Sequence, residues 1–188
     1  TLRLGQMLAA ADRPVEAELE LKAALQLFPT YAGIEGPYLH LARIHRERGE
    51  LEKSAAALTH LGDLNESAYQ VHTTEAEVRE QIGDVAGAAQ ALERALLINP
   101  FEIEVHQQLA ELATSLGRHE QAVQERRAVV ALNPVDRADA HYRLARAPFE
   151  ADEWDYARRE VIQALEVAPN YEDALELLLE LRAPTDNR

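Results

Sequence analysis

Residues 87–100 read GAAQALERALLINP, residues 120–134 read EQAVQERRAVVALNP, and residues 156–169 read YARREVIQALEVAP. Aligned on their closing prolines, Pro100, Pro134 and Pro169, these are one amphipathic helix written three times at intervals of 34 and 35 residues. A fourth copy, EAELELKAALQLFP at 16–29, ends on Pro29. The 71 residues from Pro29 to Pro100 leave room for one more unit, whose proline position is held by Glu66. Self-similarity at a fixed period of this size marks a stack of repeated supersecondary units, none of which can bury its apolar face alone.

Working outward from these helices, each is preceded by another with its own recurring small residue: Gly5, Ala42, Ala76, Ala110 and Ala145. A leucine stands just before it at Leu4, Leu41, Leu109 and Leu144, and Glu75 is the exception. The proline-ended helices carry small residues at Ala17, Ser54, Ala88, Ala122 and Ala157, then again at Ala24, Ala95 and Ala164. Small residues let two helices approach closely. Between the paired helices sit Gly49, Gly83 and Gly117, with Asp12 and Asp152 in the outer units. A helix ends readily on a residue with positive φ, which glycine adopts without a side-chain penalty. The proline stops the second helix because it lacks an N–H and clashes with the preceding turn.

A 34-residue helix–turn–helix unit with these columns resembles the tetratricopeptide repeat. The resemblance implies an all-α, right-handed solenoid of about five hairpins, forming one domain over 1–182 in which each unit contacts its neighbours. The units fall at about 1–31, 35–68, 69–102, 103–136 and 138–171, followed by a capping helix at 171–182 (YEDALELLLELR) and a flexible tail at 183–188. Residues 32–34 are an insertion, and Gly36-Pro37 restarts the next helix with proline at a favoured first-turn position. Two departures stand out. Pro148 is expected to kink the fifth unit's first helix or end it early. Arg126 occupies a bulky apolar position, where its stem is expected along the core and its head in solvent.

Composition narrows the function. Net charge is −14, with 33 acidic against 19 basic residues, and such a surface repels phosphate backbones; nucleic acid and anionic membrane are poor partners. No stretch is long and apolar enough to span a bilayer. There is no cysteine, which excludes disulfides, thiolate metal sites and cysteine nucleophiles and leaves the compartment open. All the basic residues except Lys22 and Lys53 are arginine, which with the abundant alanine suggests a GC-rich, bacterial source. The chain opens on Thr1, so it is expected to be a segment of something longer.

Catalytic and metal motifs are missing. His72, His106 and His141 share one column, with Tyr38 in the second unit. Stacked equivalents lie about 10 Å apart, the helix-packing distance, whereas ligands of one metal ion sit about 2 Å from it. A packing ring is the expected role, because the family often has an aromatic residue there. His40 and His45 point to different helix faces, and His119-Glu120 lacks the second histidine of a zinc-protease helix. No phosphate loop and no GxSxG is present. No catalytic, cofactor or metal residue is assigned, and the expectation is a chain without enzymatic activity. Asn65-Glu66-Ser67 fits a glycosylation acceptor, a pattern short enough to recur by chance.

The resemblance also implies where a partner protein or peptide lies: on the concave wall made by the first helices. The inward-facing columns place His40, Arg43, Arg46 and Glu47 there from the second unit, and Gln70, Thr73, Thr74, Glu77 and Gln81 from the third. The fourth unit offers Gln107, Gln108, Glu111 and Ser115, and the fifth Tyr142, Arg143, Arg146 and Phe149. Arginines gather in the second and fifth units. Arginine forks bind carboxylates bidentately; alternatively, Arg143 and Arg146 pair with Glu150 or with the fourth unit's acids. Some members of the family grip an acidic chaperone tail with a Lys-Asn-Asn-Lys-Arg clamp. The matching positions hold Leu39, Arg43, Thr74, Glu104 and Gln108, or, one unit later, Thr73, Glu77, Gln108, Asp139 and Arg143. Neither set reproduces the clamp, and its acids would repel the tail.

Leu4, Met7 and Leu8 at one end, and Leu175, Leu177, Leu178, Leu179 and Leu181 at the other, are apolar where a solubilising cap is polar. One or both ends are expected to meet another domain, another chain or a second copy. The leading expectation is a protein-interaction scaffold. The alternatives are the repeat region of a larger enzyme, such as a bacterial peptidase or glycosyltransferase, and a self-assembling structural module.

Overall fold

Among the described residues the chain forms helices and no strand. The structure is a computed structural model that describes residues 1–150 and 153–182. The expected turn residue Asp152, the Glu150 side chain and the tail at 183–188 lie outside the described residues. The first ten helices pair off in chain order: α1 (Leu2–Ala10) with α2 (Pro14–Leu27), α3 (Pro37–Glu47) with α4 (Leu51–Leu64), and α5 (Tyr69–Gln81) with α6 (Val85–Ile98). They continue as α7 (Ile103–Ser115) with α8 (His119–Ala131) and α9 (Arg137–Glu150) with α10 (Trp154–Val167); α11 (Glu172–Glu180) follows, packed on α10. By contact density the chain divides into two compact units, Thr1–Pro100 and Phe101–Arg188.

In the first unit each second helix packs on the next first helix, α2 on α3 and α4 on α5. The recurring small residues Gly5, Ala17, Ala42, Ala76 and Ala88 are all buried, and a Cβ on Gly5 would press on Leu21 of its hairpin partner α2. Around them Leu21, Leu41 and Ile44 form one core cluster, and Leu58, Leu61, Val71 and Val78 another. The second unit repeats the scheme with α8 on α9 and α10 on α11, burying Ala122, Ala145, Ala157, Val161 and Leu177.

The hairpin turns share one geometry. Asp12, Gly49, Gly83 and Gly117 have φ of 57°, 72°, 78° and 70°. In each case the next residue's N–H reaches back to a carbonyl five residues earlier: Arg13 to Leu8, Glu50 to His45, Asp84 to Arg79, and Arg118 to Ala113. This is the left-handed C-terminal helix cap. A Cβ added at Gly83 would meet nothing within 4 Å, so substitution there strains only the backbone. Gly83→Ala is expected to cost about 1 kcal/mol, and Asp12→Gly to stabilise by about as much. Urea denaturation followed by circular dichroism checks both signs.

The second helices stop two or three residues before Pro29, Pro100, Pro134 and Pro169. Phe28, Asn99 and Ala168 take φ near −130° to −140°, as a residue before proline prefers. Helix α4 stops at the matching place with no proline. There Asn65, at φ −138°, donates from Nδ2 to the Ala32 carbonyl at 3.0 Å and accepts from Ser67 Oγ at 2.9 Å. The insertion at 32–34 thus supplies the acceptor that holds this helix end. Those bonds engage the Asn65 amide that the glycosylation pattern singled out.

Helix α9 is not ended early by Pro148, for it runs two residues further to Glu150. Pro148 lies in the last turn, where the missing N–H removes a single ladder bond, and its ring is fully buried. Its carbonyl accepts from the Glu153 N–H at 2.8 Å, the same closing bond as in the other units.

Candidate first-helix-face binding site

Helices α3 and α5 run side by side in the first unit and leave an open depression of about 260 Å3 between them. Leu39, Arg43 and Arg46 line it from α3, and Gln70, Thr74 and Glu77 from α5. Its floor is Ala42, Val71 and two residues of α4, Ser54 and Leu58. Ser54 is buried and donates to the Ala42 carbonyl at 2.8 Å, which spends its hydroxyl on the hairpin. Arg46 Nη1 faces Glu77 Oε2 at 3.7 Å. The exposed Arg43 side chain has no hydrogen-bond or ion-pair partner among the described residues.

The second unit has a related depression of about 200 Å3, lined by Gln107 and Glu111 of α7, Arg126 of α8, and Arg143 and Arg146 of α9. Arg143 is held there on two sides, by Asp139 at 2.6 Å and Glu111 at 3.1 Å, and its pKa is raised chiefly by the bond to Asp139. Arg143 thus pairs with a fourth-unit acid, Glu111, and more closely with Asp139 of its own helix. Arg126 donates to Thr114 Oγ1 at 2.9 Å. It stands in the column of Leu21, Leu58, Leu92 and Val161, so a guanidinium reaches the depression where other units put a core side chain.

Nine of the seventeen sequence-expected groove residues therefore line these two depressions: Arg43, Arg46, Gln70, Thr74 and Glu77 in one, and Gln107, Glu111, Arg143 and Arg146 in the other. Gln108 is exposed and lines neither. His40 turns toward α1, where its Nε2 lies 3.3 Å from Gln6 Nε2, an amide that also donates to the Glu35 carbonyl at 2.8 Å. Burial, and then the Arg43 charge, push the His40 pKa down, which suits a neutral ring accepting from Gln6. Tyr142 packs edge-on against Tyr171, ring centres 5.4 Å apart, beside the core of the second unit. Sequence reasoning missed Arg126 as a lining residue, although its place in a leucine column was the available signal.

The histidine column packs, as its aromatic counterpart implies, but not through apolar contact alone. His106 Nδ1 meets Glu125 Oε2 at 2.5 Å and His141 Nδ1 meets Glu160 Oε2 at 2.9 Å, tying first helix to second. At His72 the equivalent second-helix position is Ala91. His72 is fully buried, and burial followed by the Arg94 charge lowers its pKa. Beside it Glu75, with only 3% of its side chain exposed, accepts from Thr59 Oγ1 at 2.7 Å and Arg79 Nε at 2.8 Å. Arg94 Nη1 stands 3.9 Å from its other oxygen.

Residues 103–136, the fourth unit, match the tetratricopeptide repeat family profile. No curated protein matches the chain in sequence. Solved structures match over most of its length. MamA of AMB-1 is 19% identical with a TM-score of 0.63, each chain covered to 94%. YrrB, described as a TPR protein with an unusual peptide-binding site, is 17% identical with a TM-score of 0.63, over 93% of this chain and 88% of that one. The first TPR of Spaghetti (RPAP3), solved with the HSP90 peptide SRMEEVD, is 19% identical with a TM-score of 0.51, over 60% of this chain and 89% of its own. The fourth unit is a tetratricopeptide repeat, and the chain has the fold of tetratricopeptide-repeat proteins.

Proposed function

We propose that the chain is a protein-interaction scaffold that holds a partner protein or peptide on the face made by its first helices. The observation that carries this reading is the pair of open depressions, each walled by two first helices and each presenting arginine beside polar side chains over a small apolar floor. Such a surface has shape and hydrogen-bonding capacity and no assembled acid–base pair or nucleophile. The peptide-bound TPR of Spaghetti and the peptide-binding site named for YrrB support the reading by likeness of fold. Capture from lysate of the source cell with mass spectrometry tests it. Changing Arg43, Arg46, Arg143 and Arg146 together to Glu is expected to abolish capture while the helical circular-dichroism signal persists. Unchanged capture would sink the first-helix-face reading.

A second surface has its own support. Leu4 and Met7 at the α1 end and Leu175 and Leu179 on α11 stay exposed, at 47%, 64%, 40% and 65%. Leu8, Leu177, Leu178 and Leu181 are drawn into the neighbouring cores. Contact with a neighbouring domain, with the rest of a larger enzyme or with a second copy would cover the exposed four. A mass by light scattering that stays monomeric at high concentration would remove the second-copy version.

A further inference from the structure

The two depressions differ in one chemical respect, and that difference points to a ligand. In the second unit Arg143 is fixed between Asp139 and Glu111. In the first unit the carboxylate on the lining, Glu77, is shared with Arg46 at 3.7 Å, beyond hydrogen-bond length, and Arg43 is left over. Two guanidinium groups thus face one carboxylate in a molecule whose net charge is −14. At physiological salt, charges more than about 8 Å away are largely screened. The local excess, not the overall charge, decides what settles beside Arg43.

The remaining walls narrow the choice. The side chains of Gln70 and Thr74 make no hydrogen bond among the described residues, so an amide with both donor and acceptor and a hydroxyl stand opposite Arg43. Leu39, Leu58 and Val71 supply the apolar surface between them. The volume of about 260 Å3 falls below the roughly 300–1,000 Å3 of small-molecule sites. It suits a short piece of a longer chain.

Resting on the peptide-binding reading above, we propose that this depression seats an extended internal peptide segment in which an acidic residue adjoins an aliphatic one. The carboxylate docks on Arg43, the aliphatic side chain lies over Leu39, Leu58 and Val71, and the peptide backbone meets Gln70 and Thr74. Arginine suits this task because its planar fork grips both carboxylate oxygens.

Display of random ten-residue peptides, blocked at both ends, against the full chain tests the proposal, with dissociation constants of the best synthetic peptides read by fluorescence anisotropy. The expected result is enrichment of Asp or Glu next to Val, Ile or Leu. Arg43→Glu is expected to weaken those peptides by about tenfold to a hundredfold, the range of a lost charged hydrogen bond, and Arg137→Glu, at an exposed residue that lines neither depression, to leave them within about twofold. Arg43 is exposed and unpaired, so both it and the gentler Arg43→Gln are expected to melt like wild type. Three results overturn the proposal while leaving peptide binding intact: enriched peptides that lack an acidic residue, tight binding that survives Arg43→Glu, or binding confined to peptides with a free C-terminal carboxylate. Failure to enrich any peptide would overturn the proposal and the wider peptide-binding reading together.

Discussion

Leu92→Ala is expected to lower the unfolding free energy by about 2–5 kcal/mol. Leu92 is 0% exposed on α6, in the column shared with Leu21, Leu58 and Val161. Its own helix surrounds it with Ala88, Ala89, Ala91 and Ala95, all fully buried. Alanines have no longer side chain to swing into the space, so the cavity stays open and the loss sits toward the upper part of that range. For a domain with a typical stability of about 5–15 kcal/mol this is a large fraction. Gln90→Ala, exposed on the same helix, is expected to change little, within about 0.5 kcal/mol. Urea denaturation of the two variants side by side measures the difference, and a loss below about 1 kcal/mol for Leu92→Ala would contradict the packing of α5 against α6.

The second large effect lies in the polar cluster at Glu75. Removing Arg79 leaves a carboxylate with 3% exposure whose other cation, Arg94, stands 3.9 Å away. Arg79→Ala is therefore expected to destabilise by about 3 kcal/mol or more, the usual consequence of stranding a buried charge. Arg79 also bonds Asp84, whose carboxylate caps α6 by accepting from the Gly87 N–H at 2.9 Å. Glu75→Leu is expected to behave in the opposite way. It restores the leucine of the other units, and each partner it abandons keeps another: Arg79 has Asp84, Arg94 has Asp63 at 3.0 Å, and Thr59 has the Ala55 carbonyl at 2.9 Å. Its stability should equal or exceed wild type, and combining it with Arg79→Ala should recover most of the loss. A double variant as unstable as Arg79→Ala alone would show that the stranded carboxylate is not the cause.

The parts of this structure that were legible in the sequence are those fixed by local chemistry. The prolines, the glycines of positive φ and the small residues at hairpin contacts place ten helices in five pairs without reference to distant residues. Features that depend on partners far along the chain were not. Glu75 was visible as a break in a leucine column, but its partners Thr59 and Arg94 come from two other helices, 16 and 19 residues away. His40 shares its column with Thr74 and Arg143, and Tyr142 with Leu39 and Gln107, so position on the helix does not set them apart; what does is a partner far along the chain, Gln6 of α1 for His40 and Tyr171 for Tyr142. Pro148 was expected to kink α9 or end it early; the helix runs on to Glu150, since a proline in the last turn has little ladder left to break. The Arg126 column foretold a guanidinium where a core side chain belongs, and only packing showed that it reaches the second depression.

The central claim is that ligand is held on the face made by the first helices, and amide chemical shifts of the labelled chain test it most directly. On titration with the partner segment recovered by capture or display, the account predicts shifts concentrated at Arg43, Gln70, Thr74 and Glu77 and their neighbours on α3 and α5. Shifts confined to α1 and α11, with α3 and α5 unmoved, would contradict it.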